Sequence, residues 1–295
     1  MKYRTDLAIE RKEILEEEQG DGKAIEGVSI KKINYDQDIM STRIEILNSL
    51  GEKQLEKPIG NYITIEVDGI LDEKEGIKER AGKALAEELT QLIDFHYNLK
   101  VLVVGLGNDK VTPDALGPYT ASKIKVTRHL FIIYEADGDE ELGCVSCFIP
   151  GVTGSTGMET ASLVKGAVNL VDPEVVIVID SLAARDIQRV STTIQINDTG
   201  ISPGGGMGNV RTGISMETLG KRVIAIGVPT VIDSRTLIRE ALVENISEAE
   251  KIDKYIEEKG QDMIVTSTDI DQIIKDFSDI ISNGINKTIH PGIYS

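Results

Sequence analysis

The chain has no tryptophan, two cysteines and three histidines among its 295 residues, and aromatic residues make up 4% of it. Two cysteines are too few for a disulfide framework or for the four ligands of a structural zinc site. Positive charge is scarce as well, with 32 Lys and Arg against 49 Asp and Glu for a formal net charge of −17. Phosphate backbones and anionic membranes are bound by clustered Lys and Arg, so this balance argues against both and is compatible with a cationic partner. No run of about 20 apolar residues occurs, and the opening "MKYRTDLAIERKEILEEE" is charged throughout. Neither a transmembrane helix nor a secretory signal is expected, and the expected location is cytoplasmic. The sequence also lacks G-x-x-x-x-G-K-[ST] and H-E-x-x-H, and no Cys or His cluster has ligand spacing. No cofactor and no metal are therefore expected.

What is present is an ordinary globular composition, 40% apolar and 27% charged, on a chain long enough for a large core. "LKVLVVGLG", "PEVVIVIDSLAA" and "KRVIAIGVPT" are continuous apolar runs, the texture of strands buried on both faces of a parallel sheet. Helical stretches are expected over about 72–96, 117–126, 157–170, 183–189 and 233–246, with a long amphipathic helix near the C-terminus. "GVSIKKINY", "TRIEIL" and "NYITIEV" read as short strands of an antiparallel subsheet within about 25–70. The fold class expected is α/β, a doubly wound, mostly parallel sheet flanked by helices, with that subsheet added from the N-terminal region. Residues 25–295 form one domain in this reading, preceded by a loosely held acidic arm over 1–24. Cys144 and Cys147 form a C-x-x-C, but on a short strand, where positions i and i+3 face opposite ways. They read as plain strand cysteines.

The stretch "VVGLGNDKVTPDALGP" is where chemistry enters. A glycine-rich turn after a buried strand is how a chain enters a phosphate-binding helix, but Lys110 stands where the dinucleotide fingerprint needs its third glycine. The turn instead delivers Asp114. A second acid, Asp180, ends the run "VVIVID". In a parallel sheet such strand ends face one crevice, and neighbouring strands lie about 4.8 Å apart. Two carboxylates there can share one water, one holding a proton while the other accepts one. Each acid taken alone is equally compatible with helix capping or a helix dipole, and spacing leaves both readings open. Asp198-Thr199-Gly200 is the tripeptide of pepsin-like proteases, which are all-β and need two such loops. His129 in "TRHLFII" reads as a strand-start residue.

Seven ordered motifs between residues 103 and 234 carry a resemblance: "VVGLGN", "VTPDALGP", "TRHLF", "PGVTGSTGMET", "VIVIDSLAAR", "TIQINDTGISPGGGMGN" and "VIAIGVPTVIDS". Together they resemble the germination proteases of spore-forming bacteria. The likeness runs from "RTDLAIE" to "MIVTSTDID", with the segment at about 246–262 shorter than the family suggests.

The resemblance implies an endopeptidase that starts the degradation of small acid-soluble spore proteins during germination, with a fold like that of the hydrogenase-maturation proteases. It implies Asp114 and Asp180 as the catalytic acids, and substrate-binding loops at Gly154, Gly157 and Glu159 and at Gly204, Gly205 and Gly206. It further implies a homotetramer in the forespore or spore core, and the charge balance adds the expectation that it contacts neither nucleic acid nor membrane. Members are made as zymogens, and "RTDLAIE" resembles the family's substrate cleavage site, an acid followed by Phe or Ile, then Ala, Ser and Glu. Cleavage is therefore expected between Asp6 and Leu7, making residues 1–6 a propeptide. The alternatives are a hydrogenase-maturation-type protease, which recognises bound nickel through two acids and a histidine, and a nucleotide- or peptide-binding module whose acids are only caps.

Overall fold

The computed structural model describes residues 3–20, 25–134, 142–202, 212–241, 254–255, 258 and 263–294. The three apolar runs become β4 (Lys100–Gly105), β6 (Val175–Ala184) and β8 (Arg222–Asp233). With β5 (Cys144–Phe148) they make a parallel core in the order β8-β6-β4-β5. Alternate side chains along these strands leave on opposite faces. Val101, Val103, Ile177 and Ile179 pack under α3 (Ile77–Thr90), α4 (Leu116–Ala121) and α10 (Ile270–Ile289). Leu102, Val104, Val176 and Val178 pack under α7 (Thr160–Val171) on the other side. Helices cover both faces, as the continuous apolar texture requires.

The antiparallel strands are β1 (Val28–Asn34), β2 (Ile39–Ile46) and β3 (Gly60–Val67). They join the core through β7 (Thr193–Asn197), which pairs antiparallel with both β3 and β8. β9 (Ile264–Thr266) adds to β8, completing one nine-stranded sheet. The remaining helices are α1 (Ala8–Gln19), α2 (Ser49–Leu55), α5 (Arg128–Tyr134), α6 (Thr153–Thr156), α8 (Met216–Leu219) and α9 (Ser234–Ala241). Among the described residues no helix is long and apolar enough to cross a membrane.

Three local expectations are corrected. The helix expected at 183–189 is absent: β6 runs on to Ala184 because β8 stays paired with it as far as Ile232 through a register shift at Leu182/Ala183. Only a short 3-10 turn, Ile187–Arg189, follows. His129 lies in helix α5 rather than at a strand start.

The third correction concerns the arm. Residues 3–19 are not loosely held, since Leu7, Ala8 and Ile9 are buried against Ile44, Leu55, Tyr62 and Leu182. Burying a side chain such as Leu7 contributes about 1.5–3 kcal/mol. The acidic remainder of α1 is held by arginines, Glu17 to Arg185 at 2.8 Å and Glu13 to Arg189 at 2.6 Å. Ion pairs leave no apolar period in the sequence, so a segment held largely by them reads as loose.

Candidate active site

In the parallel core β4 is followed in the chain by β5 on one side and β6 on the other. The crevice beyond the carboxyl end of β4, between those two directions, is the switch point where doubly wound sheets bind ligands. Gly105, the last residue of β4, is in register with Ile179, and Leu106 N donates to Ile179 O at 2.8 Å. Asp180 is therefore the first residue of β6 to outrun β4. It is buried, 5% exposed, and its partner in register on β8 is Gly227.

The chain leaving β4 turns at Gly107, whose φ is +109°. The loop closes on itself, Asn108 N donating to Asp114 O at 2.9 Å. A Cβ on residue 107 would stand 2.0 Å from that same carbonyl oxygen and 3.2 Å from Asp114 Oδ1. The second glycine of G-x-G thus serves the close approach of Asp114, not of a phosphate. Thr230 Oγ1 on β8 donates to Pro113 O at 2.7 Å, fastening the Thr112–Asp114 turn to the sheet. A Cβ on Gly117 would meet Leu106 N at 2.5 Å and Ile179 O at 2.6 Å, so α4 lies flat against the strand ends only because that position is glycine.

Asp114 and Asp180 line one cavity of about 680 Å³. Asp180 lies inside a strand and caps no helix, while Asp114 ends the 3-10 turn Thr112–Asp114 just before Ala115, the N-cap of α4. The segment 151–160 gives Gly151, Val152 and Thr160 to the cavity wall. Gly154 and Gly157 are exposed, with open space where a Cβ would stand, and Glu159 is half-buried at the start of α7. Gly204, Gly205 and Gly206 lie outside the described residues.

Part of the N-terminal segment forms a wall of the same cavity. Asp6 lines it and is docked on β6 where β4 has ended. Asp6 N donates to Ala183 O at 2.9 Å, and Ala183 N donates to Asp6 Oδ2 at 2.8 Å. The Asp6 carbonyl oxygen accepts from Lys57 Nζ at 2.8 Å and from Gln195 Nε2 at 3.0 Å. On the next residues Leu7 N donates to Thr5 Oγ1 at 3.0 Å and Ala8 N to Gln195 Oε1 at 2.7 Å. Glu10, wholly buried, accepts from Arg185 N at 2.7 Å and Asp186 N at 2.9 Å, and the Thr5 hydroxyl donates to it. Upstream, Arg185 stacks over the Tyr3 ring at 4.4 Å and Arg4 pairs with Asp233 at 3.1 Å.

The other candidates have structural roles. Asp198 of the Asp-Thr-Gly tripeptide accepts from Asn61 N and Asn61 Nδ2, both at 2.7 Å, and ties β3 to the turn after β7. Cys144 and Cys147 lie on β5 as expected, and burial pushes the Cys147 thiol up to about 11, away from reactivity. Among the described residues no group of three or more His, Cys, Asp or Glu is placed to hold a metal.

Sequence reasoning missed Lys57 and Gln195. Gln195 had a readable sign, since it interrupts the run "TIQIN" between Ile194 and Ile196, which face the core under α3 and α10. Alternation sends the amide to the opposite face, the one carrying Asp180. Lys57, in a loop after α2, carries no such sign.

The germination protease family matches residues 8–246. The chain belongs to that family. Among its relatives, the germination protease of Caldanaerobacter subterraneus subsp. tengcongensis is 44% identical, over 98% of this chain and 95% of the relative. That of Clostridium perfringens is 41% identical over 98% and 96%, and that of Bacillus cereus 36% identical over 97% and 93%. Among solved structures, the [NiFe] hydrogenase maturation protease HycI of Thermococcus kodakarensis covers 68% of this chain and 99% of its own. That match has 13% identity and a TM-score of 0.33. The protein is thus a peptidase of spore germination.

Proposed function

We propose that this germination protease cleaves small acid-soluble spore proteins with the Asp114–Asp180 pair and is made as a zymogen that releases its own residues 1–6. The observation that carries the reading is the place of Asp6. Asp6 lies in the cavity that both acids line, its carboxylate on the Ala183 amide and its carbonyl on two donors. "DLAIE" follows the order acid, apolar, Ala, apolar, Glu, so the docked segment stands as this chain's own copy of a substrate.

The chemistry needs two proton-transfer groups and a water. One carboxylate takes a proton from water as its oxygen attacks the Asp6 carbonyl carbon. The other, protonated, gives its proton to the Leu7 nitrogen as the C–N bond breaks. The products are a carboxyl at Asp6 and an amine at Leu7, and the pair returns to sharing one proton. With Asp6 docked on β6 the strand end beside both acids is already taken, and the full-length chain is inactive toward other proteins. The setting is the forespore or spore core, and the assembly a homotetramer.

Incubating the protein with small acid-soluble spore proteins and reading the fragments by mass spectrometry tests the substrate. N-terminal sequencing after mild acidification tests the zymogen, with a new terminus at Leu7 expected from wild type and none from Asp114→Asn or Asp180→Asn. The amide keeps the size of the acid but cannot take up a proton. The double variant should be no worse than either single one, because either loss breaks the same unit. Full activity from a chain still beginning at Met1 overturns the zymogen, and a single variant with near-full activity overturns the pair.

A further inference from the structure

The hydrogen bonds around the docked segment go beyond occupancy. Backbone groups in a folded protein are bonded mostly to other backbone groups. The Asp6 carbonyl takes two side-chain donors from distant parts of the chain, Lys57 at 2.8 Å and Gln195 at 3.0 Å. Gln195 also uses its other end, accepting from Ala8 N at 2.7 Å, so one amide grips the chain on both sides of the Asp6–Leu7 bond. In the sheet Gln195 is in register with Gly227 on β8, and Gly227 with Asp180 on β6. The amide and the acid therefore sit on one row, separated by a glycine over which the Leu182 side chain lies, 2.5 Å from where a Cβ would stand.

We infer that Lys57 and Gln195 are the donor pair that binds the oxygen of the scissile carbonyl, in self-processing and in turnover of other substrates. The inference rests on the proposed cleavage at Asp6–Leu7. As water adds to the carbonyl carbon, the C=O electron pair moves onto the oxygen, and the resulting negative charge forms against an ammonium and an amide N–H. When the C–N bond breaks, that pair returns to the carbonyl. Both donors are held before reaction begins, so no reorganisation is needed as charge develops. Burial pushes the Lys57 ammonium below its ordinary range; Asp6 and Glu10 act against the shift and Arg11 with it. A donor short of water interacts more strongly with an oxyanion than an exposed one does.

The rate of self-cleavage at Asp6–Leu7, followed by intact mass, tests the pair. Gln195→Glu keeps the length and the acceptor for Ala8 N but turns the donor facing Asp6 O into a carboxylate oxygen. Lys57→Met keeps the stem and removes the charge. Each should slow cleavage by about 100-fold or more, the cost of losing one oxyanion donor, while thermal unfolding shows a folded protein. Lys57→Arg, which keeps a cationic donor, should recover most of the rate. Should Lys57→Met fail to fold, Gln195→Glu decides alone. Wild type that self-cleaves alongside Gln195→Glu and Lys57→Met at rates within about threefold of it overturns the pair and leaves self-processing standing. Wild type that never cuts Asp6–Leu7 overturns the self-processing reading, and the pair with it.

Discussion

Replacing Gly107 with alanine tests whether the glycine turn exists to place Asp114. Two costs follow from the geometry. The backbone sits at φ +109°, a region that costs a non-glycine residue on the order of 1–3 kcal/mol. The added Cβ would stand 2.0 Å from Asp114 O, whereas a comfortable C···O approach is about 3.3 Å. The 107–114 loop must therefore retreat by roughly 1.3 Å, taking Asp114 with it. Displacement of about 1 Å costs a catalytic group on the order of 100-fold in rate. Strain and overpacking together cost about 2–5 kcal/mol, which for a chain of this size lowers Tm by roughly 5–10 °C. Gly166→Ala is the control. It sits in α7 at φ below zero, with nothing within 4 Å of the added Cβ; it should stabilise by about 0.5–1 kcal/mol and leave cleavage unchanged. Both variants are measured by peptide cleavage rate and thermal unfolding. A Gly107→Ala protein with near wild-type rate and Tm would refute the claim that this close approach positions the acid.

Cleavage should survive exhaustive chelation, measured after EDTA treatment; loss of activity restored by one divalent ion would make the aspartates ligands instead. Burial is the largest influence on the Glu10 carboxyl and raises it above its ordinary 4.5, against the lowering effects of the Thr5 hydroxyl, the Asp186 and Arg185 amides and Arg189. The folded chain then holds a proton that the unfolded chain releases, so this stabilisation is complete below pH 4.5 and is lost as pH rises through the raised value. The Tm of Glu10→Gln relative to wild type should accordingly climb between pH 4 and pH 7; an offset that stays constant would remove Glu10 as the source.

The parallel core was legible because its strands are buried on both faces, and an apolar run such as "VVIVID" has no other comfortable place. The antiparallel strands were legible as strands, but not their fusion with the core, which depends on β7. That strand is only five residues long and is decided by its two neighbours rather than by its own pattern. The end of β6 was misread for a related reason. "SLAARDIQ" has good helix formers, and only pairing with the long β8 keeps Ser181 to Ala184 extended. Propensity is a weak prior where a ladder is available.

The site divides along the same line. Asp114 and Asp180 are visible in sequence because each follows an apolar run, and a parallel sheet gathers such strand ends at one edge. Gln195 lies on β7 and Lys57 in the loop that leads into β3, and both reach the crevice because β7 pairs with β3 and β8. The arm was misjudged for a third reason: the contacts that fix it leave no pattern in the sequence. Three apolar residues, one buried glutamate and a set of arginine contacts hold it, and none of these makes a period. The segment docks by a few residues of mixed kind, and so looks like a tail until its partners are seen beside it.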